Sequence, residues 1–398
     1  MRCATCSICP IDEVTLATTL VVLPSRSFSQ CYHVHTSTVQ VLIVLLSSYL
    51  LEPYAIRNMR IQLHSKVTFD YDRSKLDFKD NKMGSIAQPA KSEAEIQKTL
   101  DRYAQGLKTS ARAPMLHDPG EAGLQFEEVF FPSHDGVSLE GWFIPCTGSS
   151  KLVICNHPAG FTRAGHPSHL EPWRTFFAAT GNNIEVNFVP DYKILHDAGY
   201  NVLAYDMRNF GQSGPANSGL LSGGKHEARD VIGSIAYARL RQDTKNMSIA
   251  LFSRCLGFSA ALWAMSLFPR FFEDNNVRCL VGPQPISAIS AMQRNFERDG
   301  IPAEKMDYVD KVCKMTTNFG IYELGPRKPA KTACIPTFVY QVRDDLWTRP
   351  DDVQTIYDNM PMTEKKLHWI DGTTKRWDGY LFFQNEPEMV LEWLERFM

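Results

Sequence analysis

The sequence predicts an α/β fold, a mostly parallel sheet flanked by helices, with helical insertions over one end and an N-terminal extension. Three observations predict it. From Phe126 onward, short apolar runs of strand length alternate with segments of helical period. The series opens with two runs of apolar–polar alternation around His134-Asp135-Gly136, an Asp-Gly hairpin signal. Near its middle, the run Met247–Phe252 ends in a tight turn flanked by small residues, with a helix directly behind.

In chain order, Ser92 caps a first helix, with Glu95 at the third position of a capping box and Ile96, Leu100, Tyr103 and Leu107 on one face. Phe126–Phe131 and Val137–Pro145 form the hairpin. Leu152–Cys155 is a strand, Tyr192–Ala198 a helix ending at Gly199, Asn201–Tyr205 a strand and His226–Gln242 a helix. Met247–Phe252 is a strand and Phe258–Leu267 a helix. Val277–Val281, Thr337–Val342 and Lys366–Ile370 are further strands, and Pro350–Met360 and Pro387–Phe397 amphipathic helices. Apolar strands between helices are buried on both faces, as a parallel sheet requires. Two stretches break the alternation, at about 161–190 and 287–330. Insertions after the carboxyl ends of strands roof the site in such sheets. The first carries Trp173, Phe176 and Phe177, which on a helix would share one face.

Residues 1–82 read differently. Their apolar runs, Thr15–Leu23 and Val39–Leu51, fall short of the ~20 residues that span a bilayer, and the first fits a signal peptide poorly. A poorly ordered or weakly docked extension is expected, followed by a helical segment over 83–125 and one domain over 126–398. Membrane attachment is not expected. The net charge of −2 gives no basic surface for nucleic acid. The 10 cysteines are scattered, as in a reduced, cytoplasmic chain. Cys3, Cys6 and Cys9 lie close together, but no second cluster with ligand spacing follows, so neither a metal nor a cofactor is expected.

The chemistry centres on Ser253-Arg254-Cys255-Leu256-Gly257. A nucleophile exposed on a strand-to-helix turn needs small residues two before and two after it, because larger side chains would clash there. Cys255 meets that pattern, whereas a frame centred on Ser253 would put Leu251 at a small-residue position. The helix N-terminus behind Cys255 favours a thiolate. A tetrahedral intermediate needs two N–H donors. Leu256 is one. The other lies in Asn156-His157-Pro158-Ala159-Gly160, where Pro158 has no N–H, leaving Ala159 or Gly160. An orienting acid belongs just past Thr337–Val342, where register favours Asp344 over Asp345. A base belongs in the loop after Lys366–Ile370, near Thr374 or Lys375, yet that loop holds no histidine. His157 or His226 could reach the site from elsewhere, the thiolate could form without a local base, or the site could be silent.

From about Phe126 to the end, this order of motifs resembles the α/β-hydrolase superfamily, and the cysteine elbow is similar to that of dienelactone hydrolases. The phrases Phe131-Pro-Ser-His-Asp-Gly136, Leu139-Glu-Gly-Trp-Phe-Ile-Pro145, Val342-Arg-Asp-Asp345 and Asp371-Gly-Thr-Thr-Lys-Arg-Trp-Asp-Gly-Tyr380 resemble the fungal branch holding the fumagillin-pathway polyketide transferase and the brefeldin-pathway thiohydrolase. That resemblance implies acyl transfer from a polyketide or fatty-acyl thioester, presented by a polyketide synthase carrier, to water or an alcohol. Hydrolysis of a free ester or lactone, and a silent lipophilic binder, are the alternatives.

Overall fold

In the computed structural model, residues 91–106 and 112–398 are described. Residues 1–82, including both apolar runs and the Cys3–Cys6–Cys9 cluster, lie outside them. Eight strands form one sheet: β1 (Glu127–Pro132), β2 (Ser138–Ile144), β3 (Lys151–Asn156), β6 (Asn201–Tyr205), β7 (Ser248–Ser253), β8 (Val277–Pro283), β9 (Thr337–Val342) and β10 (Lys365–Ile370). Their order is β1-β2-β6-β3-β7-β8-β9-β10. The hairpin β1–β2 and the β2–β6 pair are antiparallel, and every later pair is parallel. A separate two-stranded ribbon, β4 (Gly165–His166) with β5 (Val186–Asn187), lies in the first insertion.

Two apolar layers cover the sheet. On one face, α4 (Ala228–Leu240), α5 (Leu256–Leu267), α6 (Phe271–Asp274) and α9 (Pro350–Asn359) contribute Val231, Ile235, Leu262, Phe272 and Ile356. On the other, α3 (Val189–Asp197), α10 (Arg376–Asn385) and α11 (Glu388–Phe397) contribute Tyr192, Leu195, Phe383, Val390 and Leu394. The central strands β3, β6, β7 and β9 are buried along almost their whole length, as the continuous apolar runs require.

The helix α1 (Glu93–Gly106) starts on the expected capping box. The Ser92 N–H donates to Glu95 Oε2 at 2.8 Å, and the Glu95 N–H to Ser92 Oγ at 3.3 Å. Ile96 and Leu100 are buried against α7 (Ala288–Asp299) and α8 (Met306–Thr317), so the second insertion is a helical pair closed by α1. The first insertion holds only a short helix, α2 (Trp173–Phe177). Phe177 is buried, whereas Phe176 is 72% exposed, so the three aromatic residues do not share one buried face. Among the described residues, no helix is long and apolar enough to cross a membrane.

Candidate active site

The carboxyl ends of β3, β7, β8, β9 and β10 lie side by side, and the loops leaving them build the site. Cys255 follows β7 with φ 50° and ψ −103°, a backbone shape that non-glycine residues rarely adopt. Its N–H donates to the Pro283 carbonyl at 2.9 Å, and that of Arg254 to the Asn156 carbonyl at 2.9 Å, so both neighbouring strands hold the turn. Gly257 is required because a Cβ there would stand 2.6 Å from Asn156 Cβ and 2.7 Å from Asn156 O. Asn156 cannot retreat: its Nδ2 donates to Ser253 Oγ at 2.7 Å and its Oδ1 accepts from the Tyr205 hydroxyl at 2.6 Å. The spacing rule for the elbow is thus a steric contact between α5 and β3.

Among the described residues, the N–H groups of Leu256 and Ala159 have no hydrogen-bond partner. Leu256 begins α5, and Ala159 is half-buried in the loop after β3, which turns at Gly160 with φ 83°.

The two candidate bases are engaged elsewhere. His157 Nε2 accepts the Met207 N–H at 2.9 Å, which leaves the proton on Nδ1 to be donated to the Pro158 carbonyl at 2.7 Å. With both nitrogens committed, and burial holding it below its usual range, the ring orders the loop. His226 is half-buried, packed edge-on against Phe319 of the second insertion at 5.5 Å, and its Nδ1 accepts from Arg229 at 3.3 Å. Among the described residues, no histidine hydrogen-bonds to the Cys255 sulfur.

The two aspartates just past β9 differ in burial. Asp344 is exposed, and Asp345 is the buried one. After β9 the chain exposes Arg343 and Asp344 and then turns inward, so Asp345 is buried. Its Oδ1 accepts the Trp347 N–H at 2.8 Å. Its Oδ2 accepts from Gln341 Nε2 at 3.1 Å, Thr348 Oγ1 at 3.0 Å and Arg376 Nη1 at 2.6 Å.

Arg376, absent from the sequence-based site, is paired with Asp345. The stretch expected as a loop becomes α10 at Arg376, one residue past the expected slot. Besides Asp345, Arg376 donates to the Gln284 carbonyl and, from Nε, to the Tyr380 hydroxyl at 3.1 Å. Burial opposes its charge, but Tyr380, Asp345 and Cys255 more than offset that and keep it protonated. Burial also holds the Tyr380 phenol far above its usual range. Arg376 pulls against that rise, and Cys255 adds to it. A lone arginine in a loop without histidine gave no signal, because its role depends on a partner 31 residues upstream.

Arg254, beside the cysteine, is buried and ion-paired with Asp191 of α3, with its guanidinium 4.1 Å from the Phe252 ring centroid and 4.2 Å from that of Phe188. It ties the elbow to the first insertion. Burial, against the pull of Arg254, lifts the Asp191 carboxyl to about 6. Among the described residues, no cluster of three or more His, Cys, Asp or Glu is arranged to hold a metal ion.

No family model matches the chain. It is similar to YfhR of Escherichia coli (strain K12), 29% identical over 134 residues, and to YfhR of Salmonella typhi, 24% identical over 180 residues. These alignments cover 33% and 44% of this chain but only 38% and 53% of those relatives. The structure is similar to the esterase Pf2001 of Pyrococcus furiosus, with a TM-score of 0.54 and 21% identity over 73% of this chain and 98% of that one. It is also similar to the α/β hydrolase GrgF from Penicillium sp. sh18, with a TM-score of 0.47 and 16% identity over 69% of this chain and 99% of that one. The sheet order, the strained cysteine turn between β7 and α5 and the likeness to Pf2001 together establish that this chain has the α/β-hydrolase fold.

Proposed function

We propose that the protein is a hydrolase-type acyl-transfer enzyme that takes an acyl group from a thioester onto Cys255 and passes it to water or an alcohol. The observation that carries this reading is the strained Cys255 turn beside two unpartnered N–H donors, Leu256 and Ala159. The Cys255 thiolate attacks the acyl carbonyl carbon, and those donors receive the oxyanion. The tetrahedral adduct collapses as the carbon–sulfur bond to the carrier breaks and the carrier leaves as a thiolate. Water or an alcohol then attacks the acyl-enzyme, losing its proton to solvent, and the Cys255 sulfur departs as a thiolate.

The absence of a histidine partner favours a thioester over an ester or lactone. Thiolate exchange demands no proton transfer in the acylation step, whereas an expelled alkoxide must be protonated. Asp345, not Asp344, is the acid of the site, and it orients Arg376 in place of a base. The motif resemblance to the fungal polyketide transferase and thiohydrolase branch makes a polyketide or fatty-acyl chain on a synthase carrier the substrate. The silent-binder reading is favoured by one observation, the arginine that stands where a base would.

Acyl thioesters of N-acetylcysteamine, from acetyl to dodecanoyl, test the reading. Turnover should be accompanied by an acyl adduct on Cys255 in the intact mass, and Cys255→Ala should lose both. A faster reaction with p-nitrophenyl esters and lactones would move the function to ester hydrolysis. No turnover and no adduct with any of them would support the silent binder.

A further inference from the structure

We propose that His157 is a positioning residue for the oxyanion site: its ring holds the Pro158 carbonyl and thereby turns the Ala159 N–H toward the elbow. The proposal rests on the acyl-transfer reading for its use. One peptide unit carries the argument. The Pro158 carbonyl and the Ala159 N–H lie in one trans peptide plane, so they point in opposite directions. His157 Nδ1 donates to that carbonyl at 2.7 Å, and the Phe161 N–H donates to it at 3.3 Å. The Ala159 N–H therefore faces away from both donors, and it has no hydrogen-bond partner among the described residues. The loop that carries it begins at Asn156, whose carbonyl accepts the Arg254 N–H at 2.9 Å, so it leaves β3 in contact with the elbow.

The surroundings hold the ring in this role. Nε2 accepts the Met207 N–H at 2.9 Å, which fixes the proton on Nδ1. The ring is buried and packs edge-on against Phe210 at 5.3 Å. Gly160 has φ 83°, as the third residue of a type II turn requires, and the turn brings the Phe161 N–H onto the Pro158 carbonyl. At the far end of the loop, the Arg163 N–H donates to Asp206 Oδ1 at 2.7 Å. Both ends of the loop are thus pinned to Asp206-Met207, just past β6. His157 takes and gives no proton in the reaction.

Two variants separate this role from general packing. An asparagine amide N–H reaches the position of Nδ1, and a glutamine amide oxygen that of Nε2. His157→Asn keeps the donor to Pro158 and loses the acceptor for Met207, whereas His157→Gln does the reverse. Each loses one buried hydrogen bond, so a packing role would be damaged alike in both. On N-acetylcysteamine thioesters, His157→Gln should lower kcat by about 10²-fold, the loss of one oxyanion donor, with KM within about twofold. His157→Asn should keep kcat within about threefold of the unaltered protein. Iodoacetamide alkylation of Cys255, a displacement that forms no oxyanion, should run at one rate in all three proteins. Equal loss of kcat in both variants, full kcat in His157→Gln, or slowed alkylation in His157→Gln would overturn the proposal. Nitrogen NMR shifts of labelled histidine in the unaltered protein test it without any variant. They should show the Nδ1–H tautomer of His157 near neutral pH, and an Nε2–H tautomer or an imidazolium would overturn the proposal. No turnover of thioesters or p-nitrophenyl esters by the unaltered protein would instead overturn acyl transfer and leave the tautomer result standing.

Discussion

The Arg376 guanidinium donates to Asp345 Oδ2 at 2.6 Å, with neither side chain more than 2% exposed. Removing one partner of a buried ion pair leaves the other charged and unpaired, at a cost of about 3–5 kcal/mol. Asp345→Asn should therefore lose roughly that much stability in urea unfolding. Asp344→Asn, on the exposed neighbour, should change it by no more than about 0.5 kcal/mol. Equal costs would show that the pair is not what anchors α10.

A serine at the elbow separates the two ways of making a nucleophile. A hydroxyl needs a base to form its anion, and general bases contribute about 10²–10⁴-fold. Because His157 and His226 are committed elsewhere, Cys255→Ser should lose acyl-transfer rate by about that factor while the protein stays folded. Full activity in Cys255→Ser would mean that a competent base reaches the elbow.

Contact between α5 and β3 sets the elbow geometry. Gly257→Ala would place a methyl group 2.6 Å from Asn156 Cβ, against a side chain held by Ser253 and Tyr205. Overpacking of this kind costs about 1–3 kcal/mol. It should also move Leu256 relative to Ala159 and lower the acyl-transfer rate. Thermal unfolding and kinetics of the variant check both, and wild-type values in each would refute the contact.

His166 makes the first insertion sensitive to acid. Burial alone holds its imidazole down at about 4, against 6.5 for a free ring. Ser168 Oγ accepts the Trp377 Nε1–H at 2.8 Å and so turns its own proton toward His166 Nδ1 at 2.7 Å, which requires a neutral ring. The unfolded chain takes up this proton near pH 6.5, the folded one only near 4. Stability from this group is thus complete above about 6.5 and is lost as pH falls toward 4, by up to ~3 kcal/mol. His166→Asn should show a shallower decline across that window in urea titrations at stepped pH. Parallel declines would mean that the ring is protonated in the folded protein.

The sequence by itself determined what depends on near neighbours along the chain. The alternation of strands and helices follows from local periodicity, and the placing of the strained turn at Cys255 rather than at Ser253 follows from side-chain size within two residues of a tight turn. The capping box of α1 is equally local. The tertiary structure alone decided what depends on where loops end in space. Whether Asp344 or Asp345 points inward is a one-residue difference at the end of β9, and it is settled by three donors from Gln341, Trp347 and Thr348 together with Arg376. The start of α10 at Arg376 is likewise invisible to periodicity, because the residue is held by Asp345 and by the Gln284 carbonyl, 31 and 92 positions away in sequence. The missing histidine was legible as a gap. That an arginine and a tyrosine stand around that gap follows only from packing, because a charged side chain is buried where distant partners satisfy it and nowhere else.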